Sequence, residues 1–502
     1  MDSQTIAKII AFILYLGFMV YIGVRSSRKT NNAKDFFLGG RGIGPWVTAL
    51  SAEASDSSAW LLMGLPGLCY LGGIKETFWT ALGLIVGTYL NWLLIAKPLR
   101  KCSITFRDSI TIPGFFKNRF KSERCNIISV ILIVFFFTIY TASGIVACGK
   151  LFRSVFGLDY TVGMIIGLVV ILSYTILGGY RAVCTTDFVQ GALIFIAFVV
   201  AGTVAVISLG GPSQAIAKTK DFNSMSLAGA FGEDLKATFS RNQHFKVLDA
   251  ISAFSWCLGY FGMPHIIIRF MGIRSNAEIK TARRVGIIWM IIAYIGAFII
   301  GSLGTTYLLP NILTGSTAET VFSETMLKMF PAFIAGIFLC AILAASMSTA
   351  DSQLLAVAST VSLDLFKAKI NKNADEKTVL LVSRITVFVV ALVAFALCLL
   401  PNHDSIFDLV SYAWAGFGAT FGAIIFLALF WKRCTADGAS AGLFFGFITV
   451  VFWHNKTGGI FNIYEILPGF VVTLVVAIIV SLFTKTKPGV QEKFEEYKNM
   501  ND

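Results

Sequence analysis

Charged residues are scarce in this chain. Aspartate, glutamate, lysine and arginine make up 14% of its 502 residues, whereas 56% of the residues are hydrophobic. Soluble domains carry about 25% charged residues. The shortage of charge therefore excludes an ordinary soluble protein and predicts an all-α polytopic membrane protein.

Paired cysteines and enzyme signatures are also missing from the sequence. The nine cysteines stand singly and form no CxxC pair, so the sequence predicts neither a disulfide framework nor a zinc site. No HExxH motif occurs, and no stretch between the apolar runs suggests a soluble catalytic domain. We therefore expect no enzyme activity, no cofactor and no obligate protein partner.

Long apolar runs are what the chain has in abundance. A hydrocarbon core of about 30 Å is crossed by about 20 apolar residues in a helix. The sequence predicts thirteen such spans, at residues 5–24, 46–71, 77–97, 126–149, 161–178, 188–209, 247–269, 285–308, 331–359, 379–400, 407–431, 439–454 and 465–484.

The net charge of +13 is concentrated in alternate loops. Lysine and arginine cluster after odd-numbered spans, at residues 25–41, 97–124, 274–284 and 367–377. By the positive-inside rule we expect these loops in the cytoplasm, the N-terminus outside and the C-terminus inside, in the plasma membrane. This placement favours membrane lipid over nucleic acid as the partner of the basic residues. The tail 485–502 is expected to be a short solvated helix or disordered.

The second and seventh spans are interrupted by polar or helix-breaking residues. Span 2 contains "SAEASDSSA", and span 7 contains Gly259, Gly262 and Pro264. Broken helices at matching positions of inverted repeats mark the substrate site of many secondary transporters. We predict one repeat at 46–209 and an inverted one at 247–433, joined by an extracytoplasmic loop, 210–246. The span and cytoplasmic loop of 1–45 and the last two spans, 434–484, would be peripheral.

The stretch "SAEASDSSA" places two carboxylates and four hydroxyls within a membrane span. In lipid, non-helical backbone survives only where it is buried in protein or lines a cavity. Serine and aspartate compete with helical hydrogen bonds, and the freed carbonyls can coordinate a hard cation. The alternative is a polar contact between helices, which a single serine would satisfy better than six polar residues.

A second polar group lies in span 9. Ala345, Ser348, Thr349 and Ser352 recur at helical spacing in "AILAASMSTADSQLL", and Asp351 adds a carboxylate. Ionisable groups within a span are functional by default, although hydroxyls can also bond back to their own helix. Asp187 opens span 6, where it could instead be a helix cap.

Three aromatic residues with polar tips, Tyr140, Trp256 and Tyr260, lie in spans 4 and 7. Such side chains can stack on a ring while forming a hydrogen bond. Each could equally be an ordinary packing or interface residue.

Four stretches resemble the solute:sodium symporter family, and in particular its bacterial proline carriers: "GRGIGPWVTALSAEASDSSAWLLMGLPG", "FFTIYTASGIVA", "WCLGYFGMPHIIIRFM" and "ILAASMSTADSQLL". The resemblance covers nearly the whole chain. It implies a leucine-transporter-type core of two inverted five-helix repeats. It also implies sodium-driven import of L-proline by alternating access, with sodium as the coupling ion.

The resemblance further implies a site, residue by residue. Sodium would be held by the carbonyls of Ala54, Ser57 and Ala345 and by the hydroxyls of Ser348 and Thr349, with Asp56 in support. Proline would contact Ser58, Tyr140, Trp256, Tyr260 and Pro264. Other functionally sensitive positions match Arg41, Ser51, Gly64 and Asp187.

The sequence departs from the enterobacterial pattern of the family at four positions. Glu53 and Ala59 stand where glycine is found, Ser57 stands where methionine is found, and Asp351 replaces a hydroxyl residue. Because Ser57 would supply its carbonyl whatever its side chain, we expect the sodium site to survive.

Asp351 raises a further hypothesis, because it follows Ser348 by three positions on one helix face. In the family's arrangement Asp187 would lie nearby, and two adjacent carboxylates do not easily both ionise in a low dielectric. We hypothesise an accessory cation or proton site at Asp187, Asp351 and Ser352. The alternative is that Asp351 is hydrated in a cytoplasmic vestibule.

Three other functions are alternatives to proline import. A symporter for another small organic solute would keep the same mechanism. A channel would need a continuous polar pore rather than two broken helices. An intramembrane enzyme would need a nucleophile with a base, or a metal cluster.

Overall fold

The computed structural model describes residues 2–27, 33–175, 179–224, 246–401 and 404–500. Within these ranges the backbone is helical apart from turns and one isolated parallel bridge between Ile43 and Ile273. Helices satisfy their own backbone groups, as a bilayer requires, and the predicted all-α class is confirmed. Most of the predicted loop 210–246 lies outside the described residues.

The described α-helices are numbered here in chain order. They are α1 Ser3–Ser27, α2 Ala33–Leu38, α3 Pro45–Ala59, α4 Leu65–Gly72, α5 Ile74–Leu90, α6 Ala96–Thr105, α7 Ile112–Phe120, α8 Glu123–Phe156, α9 Tyr160–Thr175, α10 Tyr180–Ser208, α11 Pro212–Ser224, α12 Val247–Phe254, α13 Pro264–Gly272, α14 Ile279–Leu308, α15 Val321–Met329, α16 Ala332–Ser359, α17 Glu376–Cys398, α18 Ile406–Phe417, α19 Ala423–Phe430, α20 Ala436–His454, α21 Ile466–Phe483 and α22 Val490–Asn499.

Shorter 3₁₀ and π segments join or extend these helices. The 3₁₀ segments are Gly39–Arg41, Ser255–Phe261, Gly315–Thr320 and Gly459–Asn462, and the π segments are Trp60–Gly64, Asn91–Ile95, Thr360–Ile370 and Gly418–Gly422.

The described residues contain ten helices that are long and apolar enough to cross a membrane, or eleven with the bent pair Val247–Phe261 and Pro264–Gly272. The predicted number of thirteen is not confirmed on these criteria. The span at 46–71 is polar and divided into α3, a π segment and α4. The span at 161–178 corresponds to α9, whose apolar part, Tyr160–Ser173, is short.

Both predicted helix breaks are present. Within α3, Ser58 has φ 44° and ψ −177°, a left-handed conformation that costs a serine energy and ends regular helical geometry. Between α12 and α13, the chain passes through the 3₁₀ segment and bends by 44°. Gly262 lets the end of α18 approach this bend closely, because a Cβ there would lie 2.1 Å from the carbonyl oxygen of Phe417.

The broken helix α3 lies at the centre of the molecule. It packs against α10, α13, α14 and α16, and every residue from Thr48 to Ala59 is buried. Its serines and carboxylates therefore face protein rather than lipid, which places the polar groups of the two repeats in contact.

The C-terminal tail differs from its prediction as a solvated helix or a disordered segment. In α22, Val490, Phe494 and Tyr497 are buried. The guanidinium of Arg119 lies 4.8 Å from the Phe494 ring centroid, and the Tyr497 hydroxyl donates to the Leu429 carbonyl at 3.3 Å. The predicted short helix is present, but one face of it is docked rather than solvated, because the partners of its aromatic rings lie far away in the sequence.

Candidate functional site

An oxygen-rich contact joins the broken helix α3 to α16. The Ser348 hydroxyl donates to the carbonyl of Ala54 at 2.8 Å and lies 3.2 Å from the carbonyl of Ala345. The Thr349 hydroxyl donates to the carbonyl of Ser55 at 2.8 Å. All of these residues are buried, so the arrangement offers the neutral oxygen ligands that a hard monovalent cation prefers.

This contact brings together four of the five predicted sodium ligands. The fifth, Ser57, lies one turn along α3, where its carbonyl accepts from the backbone N–H of Trp60 and its hydroxyl donates to the Glu53 carbonyl at 2.5 Å. Sequence reasoning missed the Ser55 carbonyl. Its signal was available, because Ser55 lies in the same polar stretch before the break at Ser58.

Next to this contact lies a nearly closed cavity, called here the central cavity, of about 10 Å³. That volume is at the lower limit for a single water molecule, so a solute enters only when the side chains that line the cavity move apart. Its lining comprises Asp56, Ser57, Trp60, Leu84, Tyr140, Trp256, Tyr260, Tyr294, Val410 and Trp414.

Four residues predicted for solute or sodium support lie in that lining: Asp56, Tyr140, Trp256 and Tyr260. The Tyr260 hydroxyl donates to the Asp56 carboxylate at 2.5 Å. Ser58 lines a smaller adjoining cleft with Tyr140 and Thr349. Pro264 instead occupies the start of α13, where a residue without an N–H is favourable.

A wider cavity of about 570 Å³, called here the vestibule, lies beyond the C-terminal end of α4. Trp256 lines both the vestibule and the central cavity and so forms a wall between them. Aromatic neighbours hold this indole in place: its ring centroid lies 5.2 Å from that of Trp60 and 5.6 Å from that of Phe407. The indole N–H of Trp414 donates to the Trp256 carbonyl at 2.8 Å.

On the other side of the oxygen-rich contact, Arg269 of α13 organises an entirely buried network. Its guanidinium lies 3.1 Å from Asp187, 3.2 Å from the Ser51 hydroxyl and 2.8 Å from the Ser55 hydroxyl. It also donates to the hydroxyl of Ser352 and to the carbonyl of His265. We call Arg269, Asp187, Ser51, Ser55 and Ser352 the arginine network.

The arginine network ties four helices together at the end of the bundle opposite the vestibule. Asp187 accepts from the Ser51 hydroxyl at 2.7 Å and from the Ser55 hydroxyl at 3.1 Å, and the Ser55 and Ser352 hydroxyls are 3.0 Å apart. Because these residues belong to α3, α10, α13 and α16, their contacts close the path from the central cavity toward that end.

The predicted trio Asp187, Asp351 and Ser352 is gathered around this network. The Ser352 hydroxyl donates to the Asp351 carboxylate at 3.2 Å. The cation that faces Asp187 is Arg269, which sequence reasoning missed. Its signal was an ionisable residue inside an apolar span. An accessory ion or proton site stays a prediction, and a guanidinium already supplies positive charge there.

Two other predicted positions have structural contacts away from the central cavity. Arg41 donates to Asp108 at 2.9 Å and to the carbonyl of Ser109 at 3.0 Å, which fastens the turn before α3. Gly64 ends the π segment after the break, where a Cβ would lie 2.9 Å from the Trp60 ring.

Comparison with known proteins identifies the family. A profile of the sodium:solute symporter family matches residues 36–446. The chain belongs to this family. It is 42% identical over 488 residues to the osmoregulated proline transporter OpuE of Bacillus subtilis, covering 96% of each chain. It is 41% identical over 497 residues to the sodium/proline symporter of Escherichia coli, covering 97% of this chain and 95% of that one.

Two solved structures share the fold. A sodium-coupled sialic acid symporter in an outward-open state aligns with a TM-score of 0.78 at 19% identity, covering 96% of this chain and 99% of that one. MhsT in complex with L-phenylalanine aligns with a TM-score of 0.52 at 15% identity, covering 88% of this chain and 98% of that one. The leucine-transporter-type fold is thereby confirmed.

Membership of the sodium:solute symporter family also decides between the classes of function. The chain is a multi-pass membrane transporter that uses sodium as coupling ion, and it is not an enzyme. The weighed alternative of an intramembrane enzyme is excluded on this ground.

Proposed function

We propose that this symporter imports L-proline across the plasma membrane, driven by sodium. The main observation in support is a pair of hydrogen bonds of 2.8 Å, from Ser348 to Ala54 and from Thr349 to Ser55, beside a small aromatic cavity. Relatives at 41–42% identity that are named proline transporters support the choice of solute.

Sodium binds between α3 and α16. Its ligands are the carbonyls of Ala54, Ser57 and Ala345 and the hydroxyls of Ser348 and Thr349. Both hydroxyls now donate to carbonyls, so turning the O–H bonds exposes oxygen lone pairs to an ion without moving a helix. An ion so placed joins the broken helix of the first repeat to the second repeat, and Asp56 adds negative potential one turn away.

Proline occupies the central cavity once its walls have moved apart. Its apolar ring packs on Trp256, Tyr260 and Tyr140, since aromatic faces bury apolar area and leave the polar tips free for hydrogen bonds. The broken ends of α3 and α12 present backbone groups to the ammonium and carboxylate, as in other transporters with discontinuous helices.

Alternating access requires one closure on each side of the central cavity: the arginine network on one side and closure of the vestibule on the other. With the arginine network formed, solute and sodium reach the central cavity from the vestibule. Once both are bound and the vestibule side has closed, separation of the network opens the opposite end. We assign that end to the cytoplasm because Arg41, Arg100 and Arg274 lie there, in agreement with the positive-inside rule.

The sodium gradient supplies enough free energy for concentrative import. One elementary charge moving inward gains about 2.3 kcal/mol per 100 mV, and about 1.4 kcal/mol corresponds to tenfold. A single coupled ion therefore supports more than tenfold accumulation from membrane potential alone.

Uptake of radiolabelled proline into proteoliposomes tests this function. An inward sodium gradient should drive accumulation, and replacing sodium by potassium should abolish it. Unlabelled small amino acids and carboxylates serve as competitors. If another solute competes far better than unlabelled proline, the mechanism stands and the solute is wrong. If uptake does not depend on sodium, the proposed coupling is wrong.

A further inference from the structure

Tyr464 lies in the connection between the peripheral helices α20 and α21, yet its side chain and its backbone N–H contact the core. Its backbone N–H donates to the Ser252 hydroxyl of α12 at 2.8 Å. Its own hydroxyl donates to the Ser411 carbonyl of α18 at 2.6 Å. Its ring stacks on Trp256, with centroids 5.1 Å apart and planes 26° apart.

The connection that carries Tyr464 is itself fastened. The Trp453 indole N–H donates to the Ile463 carbonyl at 2.8 Å. His454 lies 2.9 Å from the Glu465 carboxylate and stacks on the ring of Tyr412, with centroids 4.1 Å apart. Tyr464 is thus presented to Trp256 from a segment that is held at both ends.

Trp256 gains a defined orientation from these contacts. One face of the indole meets Tyr464 in the vestibule, while Trp60 and Phe407 pack around its other sides. Because Trp256 borders both cavities, a change in its orientation alters the central cavity and the entrance to it together.

We propose that Tyr464 is a positioning residue for solute recognition, acting through Trp256. It holds the indole in the wall between the vestibule and the central cavity, so that the indole keeps one orientation when proline enters. The peripheral helices thereby contribute to affinity without touching the solute. This inference rests on the proposed role of Trp256 in the proline site.

Kinetics of the full-length transporter in proteoliposomes test this role. Aromatic stacking contributes about 0.5–1.5 kcal/mol, which corresponds to roughly twofold to tenfold in an equilibrium constant. Tyr464→Ala should raise the KM for proline by about that factor, while half-saturation by sodium stays unchanged. Tyr464→Phe keeps the stacked ring and should restore most of the affinity.

Ile460→Ala is the matched control. Ile460 lies on the same connection and is 61% exposed. We expect its KM for proline to remain that of the wild type. Tyr464→Leu, which keeps bulk without a ring, should behave like Tyr464→Ala and replaces it if that variant fails to accumulate.

A comparison with Trp256→Ala separates this inference from the proposed function. If Tyr464 acts through Trp256, the double variant Trp256→Ala/Tyr464→Ala should have the KM of Trp256→Ala alone. An unchanged KM in Tyr464→Ala and Tyr464→Leu, beside a raised KM in Trp256→Ala, overturns the role of Tyr464 only. Independent, multiplying effects in the double variant also overturn it. A normal KM in Trp256→Ala overturns the proposed proline site, and this inference with it.

Discussion

Replacing Arg269 by methionine should open the end of the transporter opposite the vestibule. In the wild type the guanidinium neutralises Asp187 and donates to three serine hydroxyls, and the two charged side chains are 2% and 0% exposed. Methionine has a similar length but no charge, so Asp187 would remain buried without a cation. The closed arrangement then becomes costly, whereas an open arrangement lets water reach the carboxylate.

The size of the effect follows from this burial. Exposed ion pairs contribute about 0–1 kcal/mol, but removing one partner of a buried pair costs about 3–5 kcal/mol. At about 1.4 kcal/mol per factor of ten, the ratio of open to closed forms should rise by roughly 100-fold or more. The double variant Asp187→Asn/Arg269→Met removes the lone charge and should regain much of the closed form.

Thiol labelling measures this opening. Cys184 lies one turn before Asp187 on α10 and is fully buried, and all nine cysteines are free. In a background that keeps only Cys184, we expect a maleimide to label Arg269→Met at least ten times faster than the wild type. Arg274→Met is the control, because Arg274 forms an exposed pair with Glu278 on the same face.

An unchanged labelling rate in Arg269→Met, measured without sodium on a variant that is expressed normally and natively folded, would refute the reasoning. So would equal acceleration in Arg274→Met, because loss of any surface cation would then account for it.

Three further predictions concern the sodium contact, the cavity and the fold. Ser348→Ala should raise the sodium concentration for half-maximal uptake by about tenfold, since a hydrogen-bonding or ion-binding oxygen contributes about 1.5 kcal/mol. Proline affinity at saturating sodium should change far less, and equal losses of sodium and proline affinity would contradict the assignment. Tyr260→Phe should raise the KM for proline more than it changes the sodium requirement, as isotope uptake will show; a normal KM would remove this hydroxyl from the site. Gly259→Ala should sharply lower thermal stability in detergent, because its Cβ would lie 1.8 Å from the Trp414 indole nitrogen, whereas Gly17→Ala, with nothing within 4 Å, should melt like the wild type.

The elements visible in the sequence were those encoded by local pattern. Six polar residues within eight positions revealed the broken helix α3, and hydroxyls at helical spacing revealed the face of α16 that contacts it. These signals depend only on neighbouring residues and on the cost of polar groups in lipid. The family resemblance then supplied roles for individual residues.

The pairings that close the site could not be read from local pattern. Arg269 and Asp187 are 82 positions apart, and Tyr464 contacts Ser252 across 212 positions. Tyr464 looks ordinary in its loop, and Arg269, although its place inside an apolar span marks it, gives no local sign of its partner. Their roles arise only when tertiary packing brings distant charges and rings together, and the docked tail helix α22 follows the same rule.

Ser55 explains how binding at one place can control closure at another. Its carbonyl belongs to the oxygen-rich contact, through Thr349, while its hydroxyl belongs to the arginine network, through Arg269 and Asp187. An ion that fixes the backbone at Ser55 therefore also fixes the hydroxyl that the network needs. By thermodynamic linkage the coupling is reciprocal: sodium binding stabilises the network by the same factor by which formation of the network raises sodium affinity.

This reciprocity makes Ser55→Ala the most informative single change. The substitution keeps the carbonyl that faces the ion and removes only the hydroxyl that faces the network. If the two sites are coupled through this residue, Cys184 should label faster and the sodium dissociation constant of the purified protein should rise, and added sodium should slow labelling less than in the wild type. Faster labelling with an unchanged sodium affinity would show that Ser55 does not couple closure of the network to sodium binding. The coupling would then have to run through another contact between α3 and α16.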